Sequence, residues 1–394
     1  MENHFSISVV GGGLAGLTAA LRLAPLCEAR GGQLALIAPI STSEDLRTTA
    51  MMMPSIEMLK RMEVWGTIEK YSTPLRTMRL VDGSERLIRS PVTDFRSSEM
   101  GLDAFGYNVP NNKMIQLLEE TIAKAPSIKR FDALLKQAEC HEDKIELHLS
   151  SKLRISAQLA VAADGRRSLL RDAAQITTRE KPYPQTALAL TFSHSQPHNG
   201  VSAEFHTETG PFTQVPLPPS KTSKHRSSLV WSVRPEQVDE LIAKSLPELS
   251  TIIEAKLQSC YGKITVEHAP QAFPLSSMTA NTFGANRVAL VGESAHVFPP
   301  IGAQGFNLGL RDIEELENQL INANNDFGND VVLSSYSKKR MFDINSRTGS
   351  IDIMNRSLLT DFLPIQAARA IGIAALGNIP WLRRFAMKQG LGVR

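Results

Sequence analysis

A chain of 394 residues is long enough for two domains, or for one large domain carrying an inserted one, so a sizeable buried site is within reach. With 42% hydrophobic and 21% charged residues, the composition is that of an ordinary globular protein, which excludes disordered and fibrous classes. A formal net charge of only +3, dispersed along the chain, argues against a nucleic-acid partner, which would call for a concentrated basic face.

The opening reads as a strand over residues 7–10, a tight glycine turn over 11–16, a helix over 17–29 and a second strand over 33–37, a βαβ start. A helix over 54–65, short strands within 78–88 and a helix over 113–125 follow. A strand pair, 144–149 and 153–163, then delivers the chain to Asp164. From 176 to 273 the texture changes to strand-like runs at 186–192, 201–206, 227–233 and 264–268, broken by Pro- and Ser-rich turns. That pattern predicts an inserted antiparallel sheet, with 216–224 as a hairpin loop. A buried strand at 288–291 leads into a second glycine-rich loop and a helix over 306–320.

The expected architecture is therefore α/β: a Rossmann-like dinucleotide-binding domain in two parts, 1–175 and 274–355. Residues 176–273 form an antiparallel-sheet substrate domain, and 356–394 a C-terminal amphipathic helical segment. That tail carries six positive residues against one acid, Asp361, and its apolar residues fall on two helical pieces broken at 378–380. It reads in two ways, as an interfacial helix on an anionic bilayer or as a structural tail that closes the core or a dimer interface. The apolar stretch 370–382 falls short of the roughly 20 residues that a spanning helix needs. Cys27, Cys140 and Cys260 lie far apart and the histidines have no ligand spacing, so no metal site or disulfide framework is expected. A glycine motif within the first dozen residues leaves no room for a signal peptide, so a cytoplasmic location, with the inner membrane surface open to the tail, is expected.

The first chemical motif is Gly11-Gly12-Gly13-Leu14-Ala15-Gly16 between predicted strand and helix. Gly11 allows the turn, Gly13 lets the backbone approach a pyrophosphate, and Gly16 permits close helix–strand packing, while the helix N-terminus offers N–H groups to the phosphates. The acid that normally ends the second strand and accepts from the adenosine ribose is absent, because Ala38 stands there. Glu44 and Asp45 come too late to replace it, which leaves Ser41, Thr42 or water. The second motif begins Asp164-Gly165-Arg166-Arg167-Ser168 and ends at Arg171; the third runs from Gly292-Glu293 through Ala295-His296 and Pro299 to Asn307 and Asp312.

By these residues the chain resembles the para-hydroxybenzoate hydroxylase-like flavoprotein aromatic hydroxylases, closest to the ubiquinone-biosynthesis hydroxylases of the UbiH/UbiF type. The resemblance covers essentially the whole chain, with three motifs in the family's order. It implies that Gly11, Gly13 and Gly16 hold the ADP half of FAD, with Arg47 near the flavin. Asp164, Gly165, Ser168 and Arg171 would lie near the pyrophosphate and the reductant's path. Gly292 and Glu293 would serve the ribityl chain, and Pro299, Gly302, Gln304, Gly305 and Asn307 would line the ring. The family's usual aspartate is here Glu293, whose extra methylene displaces the carboxylate by about 1.5 Å. Beside the ring, the helix after the loop would aim its N-terminus at the pyrimidine edge, where reduced flavin carries negative charge. His296 reads as a hydrogen-bonded structural histidine rather than a catalytic base, and Met51, Met52 and Met53 as core.

The implied activity is an FAD-dependent monooxygenase: a transiently docked NAD(P)H reduces the flavin and O2 supplies the oxygen placed on an electron-rich phenol, here a polyprenylated one. Two rivals stand beside it. One is a hydroxylase of a small soluble aromatic acid, which would want a carboxylate-binding arginine among Arg179, Arg226 and Arg234. The other is a flavin-free scaffold of a biosynthetic complex, suggested by Ala38 and Glu293. A reductase of isoprenoid double bonds would share the same FAD motifs.

Overall fold

The computed structural model describes residues 3–40, 45–84, 91–299, 304–323, 326–359 and 379–391. Its centre is a parallel sheet in the order Gly284–Ala285, Val288–Leu290, Arg154–Ala162, Asn3–Val10, Leu34–Ile37, Ile128–Phe131, where the first pair alone runs antiparallel. Ile7 lies between Leu159 and Leu34 in register. The strands are apolar on both faces, as a sheet covered on both sides requires, and Ile7, Val9, Leu34, Leu36, Leu159 and Val161 are fully buried. The helix Leu14–Glu28 packs against the helix Gln304–Ile321 on this sheet. The pair Leu135–Cys140 and Ile145–Leu149 extends it antiparallel to Arg154–Ala162.

A second sheet roofs the first unit. It runs His296–Val297, Gln271–Ala280, Thr178–His194, Arg226–Val233, Gly210–Leu217, Val201–Thr207, Thr77–Asp82, Thr93–Arg96, with Ile264–Val266 also paired to Thr178–His194. The antiparallel expectation holds except at one joint, where Val201–Thr207 lies parallel to Thr77–Asp82. The sheet therefore takes strands from both sides of 176–273. Gly210–Leu217 escaped the sequence reading because Pro211 and Pro216 masked it, and the helices Val238–Ala243 and Leu246–Lys256 were also missed.

The roof's two faces differ. Its outer face, with Leu188, Leu190, Phe192, Phe205, Phe212, Leu229 and Trp231, is buried beneath Leu241, Leu249 and Ile253 of those two helices. At about 1.5–3 kcal/mol for each large side chain, this face holds the roof together. The strand period of two turns Ala189, Thr213, Val230 and Leu80 to the opposite, inner face, where they are only half-buried. Between roof and first unit lies a three-stranded sheet, Thr48–Met52, Gly106–Pro110 and Thr73–Leu75. Thr48 Oγ1 bonds Ser228 Oγ at 2.9 Å and Asn108 Nδ2 donates to the Pro216 carbonyl at 2.9 Å, which fixes the inner face over it.

The predicted helix 54–65 is two helices, Met53–Arg61 and Trp65–Ile68, because the chain turns at Glu63 with φ +59°. The predicted strands to residue 88 end at Asp82, and 85–90 lie outside the described residues. Most of the tail does too, at 360–378 and 392–394. What is described is the long helix Asp330–Leu359 and a helix Pro380–Leu391 that starts on its proline, where a missing N–H costs nothing. Arg383 of that last helix pairs with Glu99 at 2.5 Å and stacks 4.6 Å over Phe95, while Met387 packs with Met52 and Phe105.

Candidate functional site

The three motifs meet at the C-terminal ends of the central parallel strands, where open α/β sheets bind ligands. Gly11 has φ +123°, and a Cβ there would sit 2.1 Å from the Ala163 carbonyl oxygen, next to Asp164. A Cβ on Gly16 would sit 2.0 Å from the Gly11 carbonyl, and one on Gly292, φ +62°, would meet Ala15 at 3.2 Å. Only glycine lets these backbones come so close. Gly13 differs, because its backbone is extended and a Cβ added there would meet nothing within 4 Å. The helix Leu14–Glu28 begins there with no side-chain cap and no acid in its first turn, so its leading N–H groups face open space.

The second motif braces the third. Asp164 Oδ2 accepts from the Leu169 and Leu170 amides, Ser168 caps the short helix Leu169–Ala173 through the Arg171 amide, and buried Arg171 donates to the Ser294 and Arg166 carbonyls. Asp164 Oδ1 is buried without a partner, and burial raises the pKa of this carboxyl. Gly165, φ +83°, carries the chain through the turn. Arg166 Nε donates to the half-exposed Glu293 at 3.2 Å. Arg47 is held by both oxygens of Asp45 at 2.9 Å and lies 5.2 Å over Phe273, close enough to Glu293 to feel its charge. Two guanidinium groups, Arg47 and Arg166, thus flank Glu293.

Behind this mouth is a buried charge cluster. Asp312 Oδ2 accepts from the Gly292 amide at 2.9 Å and pairs with His296 Nε2 at 2.7 Å, while its Oδ1 accepts from Arg340 Nε at 2.7 Å. Burial works to raise the Asp312 pKa, but His296 and Arg340 outweigh it and keep the carboxylate ionised. His296 is sandwiched near Phe283 and Phe298, remote from solvent, which suits the structural role expected of it. Arg340 was missed by sequence reasoning and Arg166 was named within the second motif without a role; only the Arg-Asp pair at 311–312 after the glycine-rich loop hinted at the cluster.

Of the loop that follows, Pro299 is buried, Gly302 lies outside the described residues, and Gln304 and Gly305 open the helix Gln304–Ile321. Asn307 Oδ1 accepts from the Met52 amide at 2.9 Å and from Ser55 at 2.7 Å, and its Nδ2 donates to the Ala50 carbonyl. This side chain ties the loop's helix to the strand Thr48–Met52. A glycine cradle open at Gly13, uncapped helix N–H groups and the unpartnered Asp164 Oδ1 fit a dinucleotide with a pyrophosphate at the turn and a hydroxyl donor nearby.

Comparison with known proteins agrees with that geometry. Residues 4–344 match the family model described as FAD binding domain. The ubiquinone hydroxylase UbiL of Rhodospirillum rubrum is 30% identical over 98% of this chain and 89% of that protein. The 3-demethoxyubiquinol 3-hydroxylase of Escherichia coli is 28% identical over 98% of both chains. Among solved structures, p-nitrophenol 4-monooxygenase PnpA of Pseudomonas putida superposes with a TM-score of 0.79 at 20% identity, covering 100% of each chain. The match spans both sheets and all three motifs, and so the chain belongs to the FAD binding domain family of flavin-dependent hydroxylases, with FAD as its cofactor.

Proposed function

We propose that this protein hydroxylates a polyprenylated phenol in ubiquinone biosynthesis, with NAD(P)H as transient reductant and O2 as the oxygen source. The carrying observation is the inner face of the roof. Ala189, Thr213, Val230 and Leu80 present small or apolar groups over the site, the acid in their row, Glu204, is paired with His206, and the roof's arginines are engaged or turned away. Arg226 bonds Glu267 through Nε and Nη2 at 2.7 and 2.6 Å, Arg79 bonds Asp94 in the same forked way, and Arg179 and Arg234 are exposed. A small aromatic acid would want a cation in that pocket, whereas a neutral phenol with an apolar tail does not. The ubiquinone hydroxylases among the relatives favour the same reading.

Bound FAD supplies the electron transfer and oxygen activation. In this reading the close turn that Gly11 and Gly16 allow brings its pyrophosphate to the open backbone at Gly13 and the helix N-terminus behind it, Asp164 Oδ1 accepts from a hydroxyl, and Glu293 turns from Arg166 to the ribityl chain. Arg47 and the N-terminus of Gln304–Ile321 favour negative charge at the ring. Asp312, His296 and Arg340 fix the backbone that carries Glu293, and the roof keeps water out.

The last helix supports a seat on the membrane. Its inner face is docked through Arg383 and Met387, whereas Trp381 and Phe385 are 70% and 56% exposed beside Arg384 and Lys388. An aromatic and basic outer face suits an anionic bilayer, where a tailed phenol resides. Among the described residues no helix is long and apolar enough to cross one.

The test is turnover by the purified yellow protein, with NAD(P)H and O2, of a short-tailed prenyl phenol against 4-hydroxybenzoate, read by product mass. A product one oxygen heavier from the prenyl phenol is expected. Turnover of the acid alone would refute the proposal.

A further inference from the structure

The end of the second strand lacks the acid that a βαβ dinucleotide site normally places beside the adenosine ribose, and the structure puts a cation there instead. The strand Ile128–Phe131 lies parallel to Leu34–Ile37 with Arg130 opposite Leu36, so Arg130 shares a face with Ala38 two residues on. Ala38 abuts the glycine loop: a Cβ on Gly12 would come within 2.9 Å of its methyl group. The Arg130 guanidinium is anchored on two sides, by an ion pair between Nη1 and Glu119 of the helix Asn111–Ile122 and by a bond from Nη2 to the Ala38 carbonyl at 3.4 Å. Its Nε is buried and has no partner.

We propose that Arg130, positioned by Glu119, recognises the adenosine half of FAD in place of the missing strand-end acid. A ribose hydroxyl accepts hydrogen bonds as well as donating them, so a site that loses its acceptor can hold the same group with a donor. Guanidinium suits the task, because it keeps its charge and offers several N–H groups in one plane, of which two sides are already committed. An orphaned buried donor costs free energy that a bound hydroxyl or adenine nitrogen recovers. Seen this way, Ala38 is no defect. A carboxylate at position 38 would compete with Glu119 for the same guanidinium. This inference rests on placing the pyrophosphate at Gly11–Gly16.

Titration of apo-protein with FAD and, separately, with FMN, which lacks the adenosine, tests it by flavin fluorescence. Arg130→Gln should weaken FAD binding by about 10- to 100-fold and leave FMN binding unchanged, as expected for loss of a charged hydrogen bond. Arg130→Lys, which keeps the charge and the pairing with Glu119, should fall between the two and serves as the deciding variant if Arg130→Gln does not fold. Wild-type affinity for FAD in both variants, or an equal loss for FAD and FMN, overturns the proposal. A wild-type protein that binds no FAD at all would instead refute the placement of the pyrophosphate.

Discussion

Three glycines of one turn should fail in different ways when a side chain is added. At Gly13 the backbone is extended, φ −79° and ψ 176°, and a Cβ meets nothing within 4 Å, so Gly13→Val requires no rearrangement of the empty protein. Valine is a poorer N-cap than glycine, but it also lowers the entropy of the unfolded chain; the two effects are each on the order of 1 kcal/mol and oppose one another. Apo stability should therefore stay within about 1 kcal/mol of wild type. The open space is where a pyrophosphate would lie, so FAD retention should be lost. At Gly16 a Cβ sits 2.0 Å from the Gly11 carbonyl oxygen, roughly half an ordinary contact distance, and overpacking of that kind costs about 1–3 kcal/mol or more. Gly11→Ala adds a backbone penalty at φ +123° to a 2.1 Å clash and should be at least as damaging. Urea unfolding of the apo-proteins with and without FAD separates the cases. Wild type should gain about 2.7 kcal/mol when FAD is at 100 times its dissociation constant. Gly13→Val should gain nothing from a near-normal baseline, and Gly16→Ala should start from a lowered one. A Gly13→Val protein that is destabilised when empty, or that gains the full ligand increment, would refute the reasoning.

Asp312→Ala should cost about 3–5 kcal/mol in urea unfolding, because it takes the carboxylate from buried His296 and leaves Arg340 with Asp343 alone; a loss under about 1 kcal/mol would mean that the cluster is solvated. His194 and His198 are held below the ordinary 6.5, in both cases first by burial, with neighbouring histidines adding to it. The unfolded chain then binds more protons as the pH falls below about 6.5, so stability is full above that pH and declines below it. His194→Gln should flatten the decline between pH 7 and 5, and an unchanged pH profile would count against the assignment. Trp381→Ala with Phe385→Ala should reduce pelleting with anionic vesicles at low salt while FAD content stays constant, since Arg383 and Met387 still dock the helix. Pelleting equal to wild type would show that this face does not meet lipid.

The nucleotide-binding half was legible because its signals are local. The glycine spacing, the apolar runs of Asn3–Val10 and Arg154–Ala162, and the helix after the turn each declare themselves within a dozen residues. The joint between Thr77–Asp82 and Val201–Thr207 was not legible, because no short window encodes a pairing across more than a hundred residues. Prolines hid Gly210–Leu217, although Pro211 and Pro216 take places in a paired strand. At the site, residue types were predictable and partners were not. Asn307 lies in the expected loop, yet what its side chain holds is the strand Thr48–Met52. Ala38 announced an absence, and only the neighbouring strand showed that Arg130 stands beside it.

The order of the parallel strands also sets a timetable. Asn3–Val10 emerges first but stands between Leu34–Ile37 and Arg154–Ala162, so one of its edges waits for residues made some 150 positions later: Ile7 meets Leu159. Gly13 and Glu293 are separated by 280 positions (293 − 13), and at a synthesis rate of 5–20 residues per second the gap is about 15–60 s. During that interval an apolar parallel edge is open to wrong partners. Because the strand Val288–Leu290 and the helix Gln304–Ile321 complete the cradle, it cannot close until more than 300 residues have been made. Flavin capture is then a late event of folding, and starving cells of the cofactor should accumulate a folded, empty protein rather than arrested fragments.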